Sequence, residues 1–462
     1  MEFQKIDEKS FSGNVKILKL LGLYPYSSYP KIYPFYAYTF YVLFTCPTPI
    51  LCMVNLFFLE ERSLQRIVDT FFVITQIAIL IVKLLPFKNN PEGVRASMEW
   101  LNRGVFRRHT PEQEVLVDKC VKTCKNIFHF FYAFCLASLF TWPWKVFFSE
   151  RRILPVEIWL PFDAYEDIRV YSAVFFFVFL AEIKFVMSIY SSNKSAPACF
   201  DDPAHRASMT YAGSGRVERS RRPCPMVREN ETPGSYSQIR DPSIGVGNAA
   251  VGNAALDTLV AGLICHAANQ VAILKDTLEH LARTVDDQIE QESKMMSEAE
   301  KNELRSRKIY KKICKCIDHY DAIDQFVKDL EKTYSFVVFT QFVASIVVIC
   351  ISCLQLSIVK PFTVTFFSVV IFVTTMFIEI YLFCYYGTVL YEESDSIVNA
   401  IYMSEWYNYD NKSKKALITL MERAKRPMMV TAGKLLDLSL VTFTTIIRRS
   451  YSLLAVLKNY SN

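Results

Sequence analysis

Long blocks of apolar residues restrict what this chain can fold into more than any other feature. Residues 334–356 and 362–390 form two such blocks, separated by a few residues around Lys360 and Pro361. A helix crosses a bilayer with about 20 apolar residues, so each block is long enough to span a membrane. Hydrophobic residues make up 52% of the chain and only 13 of its 462 residues are glycine, which is typical of helical membrane proteins rather than soluble domains.

The apolar blocks predict an all-α polytopic membrane protein with seven transmembrane helices. Proline cannot continue a helix, so Pro427 is expected to separate a basic amphipathic helix from the last span. The spans are expected at residues 35–59, 67–87, 127–148, 170–190 continued by 257–274, 334–356, 362–390, and from Pro427 to residue 457. The chain is accordingly divided into a cytosolic N-terminal segment (1–34), spans one to three with the outer part of the fourth (35–190), a polar insertion (191–245), the inner part of the fourth span with a charged helical segment (246–332), and spans five to seven with the basic helix between the last two (333–462).

Residues 191–245 interrupt the fourth span with a segment rich in Arg, Ser, Pro and Gly. This composition does not bury enough apolar surface to become ordered, and an unstructured charged segment cannot lie in hydrocarbon. Two explanations stay open. The segment is either an error or variant of the transcript, such as retained non-coding sequence, or a real loop that joins two half-helices that still pack together.

The distribution of basic residues predicts the orientation in the membrane. Most Lys and Arg lie before the first span and in residues 88–125, 275–332 and 411–426, whereas the alternate turns hold few. Because basic connections stay in the cytosol, the N-terminus is expected inside and the C-terminus outside. The same residues are expected to contact anionic lipid, which explains the net charge of +6 without any nucleic-acid partner.

Three motifs occur in order along the second half of the chain. The first motif contains Asp257-Thr258-Leu259, Gly262, His266 and Gln270. The second contains Cys384-Tyr385-Tyr386-Gly387, Glu393-Ser394 and Trp406. The third contains Pro427, Ala432-Gly433, Leu438-Ser439-Leu440 and Ser450-Tyr451-Ser452. Together they resemble the insect odorant receptor family, and the resemblance covers nearly all of the chain outside the insertion.

This resemblance implies a subunit of a ligand-gated, non-selective cation channel. In the family, an odour-tuned receptor assembles with a shared co-receptor in a heterotetramer, the last helix lines the pore, and cytosolic helices anchor the subunits to one another. The chain lacks the C-terminal sequence of the co-receptor, which indicates the odour-tuned subunit. The expected location is the plasma membrane of olfactory sensory neurons, and the expected partners are small volatile odorants, the co-receptor and membrane lipid.

The resemblance also implies an odorant pocket in the outer halves of the early spans and the sixth span. Carried onto this chain, it indicates Phe71, Phe72, Phe140, Tyr171, Phe175 and Phe366. Aromatic walls suit small apolar molecules, although each of these residues is also compatible with a face that packs on lipid or another helix. In the last helix, helical spacing places one stripe either along the pore or along an intersubunit packing face: Ile447, Ser450, Leu454 and Leu457.

The sequence predicts no enzyme active site, no cofactor and no metal site. The 13 cysteines are scattered, and Cys314 and Cys316 lack a second pair with metal-binding spacing. A G-protein-coupled chemoreceptor and a transporter are the two alternatives to the channel. A G-protein-coupled chemoreceptor is expected to carry an acidic-Arg-Tyr motif after its third span, and a transporter to carry internal repeats; the sequence shows neither.

Overall fold

The computed structural model describes residues 5–21, 47–58, 64–83, 90–107, 110–147, 168–169, 171–172, 242–292 and 297–461, and most of them are helical. The helices before the insertion are α1 (Ile6–Leu20), α2 (Pro47–Phe58), α3 (Leu64–Lys83), α4 (Pro91–Glu99) and α5 (Pro111–Phe147). Those after it are α6 (Pro242–Glu279), α7 (Leu281–Glu292), α8 (Glu298–Ile358), α9 (Val364–Asp395), α10 (Ile397–Met403), α11 (Asn411–Ala424) and α12 (Leu440–Ser461). Two short antiparallel strands, β1 (Thr431–Ala432) and β2 (Leu436–Asp437), lie between α11 and α12.

The helices have the lengths and compositions of a membrane bundle. Within the described residues, three stretches are long and apolar enough to cross a membrane, namely Ala250–Glu279, Glu298–Ser357 and Val364–Met403. The described parts of α2, α3, α5 and α12 overlap the first, second, third and seventh predicted spans. Most of the outer part of the fourth span, and the insertion up to residue 241, lie outside the described residues.

Helix α8 is much longer than a bilayer is thick. With 61 residues, α8 is about 90 Å long at 1.5 Å per residue, about three times the hydrocarbon thickness. A capping box between Ser297 and Glu300 fixes its start. Its charged residues 298–333 are helical, as the sequence predicts. Residues 88–125, the basic connection between the second and third predicted spans, are largely helical, since α4 and the first turns of α5 occupy most of them.

The centre of the bundle is α6, which contacts α3, α5, α8 and α9. Small residues make this possible, because they let neighbouring helices approach closely. The N-terminal helix α1 also packs here, which sequence reasoning did not predict: the Phe11 ring lies so close to Gly262 that a Cβ there would be 2.5 Å from it. Asn14 Nδ2 of α1 donates hydrogen bonds to Thr258 Oγ1 at 2.7 Å and Ala255 O at 2.9 Å.

The connection between α11 and α12 corrects a second expectation. The last helix begins at Leu440 rather than directly after Pro427, because the β1–β2 hairpin comes between. Gly433 turns the hairpin with a positive φ of 62°, and its N–H donates to Ser335 O of α8 at 3.0 Å. The backbone of Leu438 then lies directly on Gly387 of α9, where a Cβ would be 2.1 Å from the Leu438 carbonyl oxygen. The hairpin therefore fixes the start of α12 on two other spans.

We expect Gly387→Ala to displace Leu438, because the added methyl group has no space against a backbone carbonyl. The protein should reach the cell surface in lower amounts, or should lose the evoked current that the resemblance implies while still reaching it. Surface labelling and whole-cell current measure the two effects separately. Gly104→Ala is the matched control, since a Cβ at Gly104 meets nothing within 4 Å. Equal behaviour of the two variants would contradict the close contact.

Candidate functional site

A cavity of about 90 Å³ lies inside the bundle between α3, α5, α6 and α9. Its lining residues come from all four of these helices, so a molecule inside it would contact each of them. The apolar part of the lining consists of Val73, Phe131, Cys135, Leu139, Ala250, Ala254, Phe372 and Met376. The polar part consists of Gln76, Ser138, Asn253, Asp257, Thr375 and Glu379.

An ionic cluster closes one end of the cavity. Lys83, the last residue of α3, donates from Nζ to Asp257 Oδ1 at 2.7 Å and to Asp257 Oδ2 at 2.8 Å. The same ammonium group donates to Glu379 Oε1 at 3.2 Å. The side chains of the three residues are 1%, 5% and 3% exposed, so this triad joins α3, α6 and α9 away from water.

Burying the charges of the triad costs free energy, and removing one of its members would cost more. A charged side chain in a membrane interior is unfavourable by several kcal/mol, unless a partner and hydrogen bonds compensate for the lost hydration. Here one ammonium group serves two carboxyl groups, both of which also line the cavity. The end of the cavity is consequently polar and acidic, whereas most of its walls are apolar.

Asn253 provides a second polar group in the cavity wall. It is 7% exposed, and its Nδ2 donates to Gln76 O and Gln76 Oε1, both at 3.4 Å. Its Oδ1 atom has no hydrogen-bond partner among the described residues. A buried acceptor without a partner costs about 1–3 kcal/mol, which a ligand that donates a hydrogen bond would recover. The sequence signal was an Asn among small residues, in the segment Gly252-Asn253-Ala254-Ala255.

The size of the cavity limits what can enter it. An engineered apolar cavity of about 150 Å³ accommodates benzene, so a molecule of that size requires some movement of the wall at about 90 Å³. Met376 is suited to such movement, because its unbranched side chain is flexible. Its sulfur accepts a hydrogen bond from Gln76 Nε2 at 3.6 Å.

The aromatic residues predicted for the pocket are not among the residues that line this cavity in the described part of the chain. The Phe71 side chain is 40% exposed, and the Phe366 ring contacts the rings of Phe362 and Phe367. Tyr171 is partly buried in a short described stretch. Phe175 and the side chains of Phe72 and Phe140 lie outside the described residues. The four helices of the cavity are nevertheless the second, third, fourth and sixth spans.

The four residues predicted to line the pore differ in their surroundings. Ile447 is exposed on α12, whereas Ser450 is buried and its carbonyl oxygen lies 3.7 Å from Cys350 Sγ of α8. The side chains of Leu454 and Leu457 are outside the described residues. The exposed face of α12 also carries Arg448 and Arg449. These four residues remain a prediction.

The polar residues of the first motif all connect α6 to other elements. Besides Asp257 and Thr258, His266 Nε2 lies 2.9 Å from Ser10 Oγ of α1, and Gln270 Oε1 lies 2.9 Å from His319 Nε2 of α8. Burial lowers the pKa of His319 to about 4, so its imidazole is neutral at pH 7 and donates to Gln270. The motif therefore holds the bundle together around α6.

Comparison with known proteins decides the family. The family model described as "7tm Odorant receptor" matches residues 220–451, which is half of the chain. The chain belongs to the insect odorant receptor family. It is accordingly a receptor with seven membrane spans and not an enzyme.

Individual relatives agree with this assignment over most of the receptor. Odorant receptor Or1 of Anopheles gambiae is 21% identical over 418 residues, which cover 87% of this chain and 84% of that protein. Odorant receptor 94a of Drosophila melanogaster is 32% identical over 127 residues, or 27% of this chain and 33% of that protein. The fold is similar to the solved insect olfactory receptor OR5 of Machilis hrabei in complex with eugenol, with a TM-score of 0.69, 13% identity and 97% of each chain covered.

We expect Lys83→Met to destabilise the receptor by about 3–5 kcal/mol, because it leaves two carboxyl groups buried without a cation. Thermal unfolding of detergent-purified receptor, followed by size-exclusion chromatography, measures the effect. Lys83→Met combined with Asp257→Asn and Glu379→Gln should recover most of the loss, since no charge then remains. A single variant as stable as the wild type, or a triple variant no better than the single one, would contradict this role of the triad.

Proposed function

We propose that this receptor is the odour-tuned subunit of a ligand-gated, non-selective cation channel, and that the odorant binds in the cavity next to the triad. It assembles with the family's co-receptor as a heterotetramer in the plasma membrane of olfactory sensory neurons. The observation that supports the proposal most is that α9 contacts both the cavity and the last helix. It forms one wall of the cavity and also holds the start of α12. Family membership favours this function over a G-protein-coupled receptor or a transporter.

The path from the cavity to the last helix is short. Phe372, Met376 and Glu379 of α9 line the cavity. Two turns further along the same helix, Gly387 contacts Leu438, and Thr388 Oγ1 accepts a hydrogen bond from Leu440 N at 2.9 Å. Because a helix moves as a rigid element, an odorant that displaces Met376 or Phe372 would also move the first residue of α12.

The last helix forms the pore in this proposal. Its exposed face includes Ile447, Arg448 and Arg449, and in a tetramer such a face meets either the central axis or a neighbouring subunit. Apolar residues further along, Leu454 and Leu457, would close the pore by excluding water, and movement of α12 would open it. Phe71, which is exposed, and Phe366, which is partly buried, would form part of the route from the membrane to the cavity.

The cavity favours a particular class of odorant. Its apolar walls suit a small hydrophobic body, since burial contributes about 25 cal/mol per Å² of apolar surface. Asn253 Oδ1 supplies a hydrogen-bond acceptor, and the acidic end of the cavity disfavours anions. We therefore expect neutral volatile molecules with one donor group, such as alcohols and phenols, to activate the receptor better than carboxylates. Eugenol, the compound bound to the similar Machilis hrabei receptor, is a phenol and belongs in the test panel.

Asn253→Leu should weaken activation by alcohols and phenols, because the acceptor is lost while the side chain keeps the same branched arrangement of heavy atoms. One hydrogen bond contributes about 0.5–1.5 kcal/mol, so the half-maximal concentration should rise about 2- to 10-fold. Activation by ethers and hydrocarbons of the same size should not weaken. The measurement is odour-evoked current in cells that also express the co-receptor.

Thr374→Val is the matched control for that experiment. Thr374 lies on an exposed face of α9, where its hydroxyl donates to Val370 O of its own helix. Its dose–response curve should match the wild type for both ligand groups. If Asn253→Leu shifts both groups equally, or shifts neither, the assigned contact is wrong.

The orientation is tested by epitope tags at the two ends of the full chain. An N-terminal tag should bind antibody only after the cells are permeabilised, and a C-terminal tag should bind in intact cells. The reason is the excess of basic residues in the segments placed in the cytosol. Labelling of the N-terminal tag in intact cells would contradict this orientation, and with it the direction in which α12 crosses the membrane in the proposed channel.

A further inference from the structure

Three cysteines converge where α5 and α6 cross. Cys120 and Cys124 lie one turn apart on α5, and Cys265 faces them from α6. The three sulfur atoms lie within 4.8 Å of one another, and the Cys120 and Cys265 sulfurs are 3.6 Å apart. Sequence spacing did not predict this cluster, because 145 residues separate Cys120 from Cys265.

A histidine lies beside Cys120 at the edge of the cluster. His266 Nδ1 lies 3.5 Å from Cys120 Sγ. Its other ring nitrogen, Nε2, lies 2.9 Å from Ser10 Oγ of α1, so the ring is oriented by a hydroxyl on its far side. Cys120, Cys124 and His266 are buried, while Cys265 is partly exposed and offers a way in.

These distances are close to those of a tetrahedral zinc site. Bond lengths of about 2.3 Å for Zn–S and about 2.0–2.1 Å for Zn–N give tetrahedral edges of about 3.8 Å between sulfurs and about 3.6 Å between sulfur and nitrogen. Two of the six ligand separations match these edges, since Cys120 Sγ lies 3.6 Å from Cys265 Sγ and 3.5 Å from His266 Nδ1. The three sulfur atoms lie within 4.8 Å of one another, and the side chains of Cys124 and His266 have to turn towards the ion to close the remaining edges. We propose that Cys120, Cys124, Cys265 and His266 bind one Zn²⁺ ion, which joins α5 to α6 and, through Ser10, to α1.

The chemistry of the four ligands is consistent with this ion. Three thiolates and a neutral imidazole form one of the usual ligand sets of structural zinc. Binding releases three thiol protons to solvent and gives the site a net charge of −1. The Cys124 sulfur, which lies 3.8 Å from Gly262 O, turns from that carbonyl to the metal. The contact between His266 and Ser10 is the outer hydrogen bond that metal-bound histidines generally make.

The surroundings of the cluster favour a metal over a disulfide. The basic residues of the 88–125 connection place the N-terminal end of α5 on the cytosolic side. Thiols are kept reduced there. A disulfide between Cys120 and Cys265 would leave Cys124 and His266 without a role. The Phe11 ring packs on Gly262 and contacts the His266 ring with centroids 5.7 Å apart, which shields the site from water.

The test is the metal content of the full-length chain purified in detergent. Mass spectrometry of zinc and copper should find one zinc per chain and no comparable copper. Cys124→Ser should lose the zinc, whereas Cys316→Ser, a buried cysteine of α8 outside the cluster, should keep it. Ser10→Ala, which leaves all four ligands in place, should weaken zinc binding about 10- to 100-fold.

Cobalt substitution keeps the test decisive if Cys124→Ser does not fold. Wild-type chain loaded with Co²⁺ should show the visible bands of tetrahedral cobalt and the near-ultraviolet charge-transfer band of thiolate ligands. Folded wild-type chain without zinc and without this cobalt spectrum would overturn the proposal. Copper in place of zinc, or a Cys120–Cys265 disulfide found by peptide mapping, would overturn it too. None of these measurements depends on channel activity. A failure of the zinc proposal can therefore be distinguished from a failure of the channel proposal.

Discussion

The contact between Lys83 and the two carboxyl groups of Asp257 and Glu379 is the interaction on which the rest of the bundle depends. It is buried and lies between three spans, so α3, α6 and α9 cannot separate without leaving a charge in a medium of low dielectric. The same carboxyl groups close one end of the cavity. The cluster that joins the helices therefore also makes one end of the cavity acidic, and in the proposed function this end disfavours anionic ligands.

A second constraint is the close approach of backbones at α6 and α9. Gly262 accommodates the Phe11 ring, and Gly387 accommodates the Leu438 carbonyl. Both contacts exist because glycine lacks a Cβ. The first holds the N-terminal helix on the bundle, and the second holds the hairpin from which α12 starts. A movement of α9 at the cavity is thus connected to the last helix by packing rather than by a flexible linker.

Much of the fold could be predicted from sequence, because apolar blocks of about 20 residues have few alternatives to spanning a membrane. The cavity could not. Helical period alone does not tell a Phe that faces lipid from one that faces a pocket, and the residues that line the cavity are largely small or polar ones, such as Ala250, Asn253 and Thr375. Asp257 was visible only as part of a motif, and its partners lie 174 and about 120 residues away in the chain. The hairpin after Pro427 was missed because its strands have two residues each.

The central claim is that an odorant in this cavity acts on the last helix through α9. It is tested most directly by an electron cryomicroscopy structure of the receptor assembled with the co-receptor and bound to an activating alcohol or phenol. The account predicts ligand density within hydrogen-bonding distance of Asn253 Oδ1, between Met376 and the triad, with Gly387 and Leu438 still in contact and α12 displaced relative to the ligand-free complex. Ligand density outside the cavity, or an open pore in which Leu438 has separated from Gly387, would contradict it.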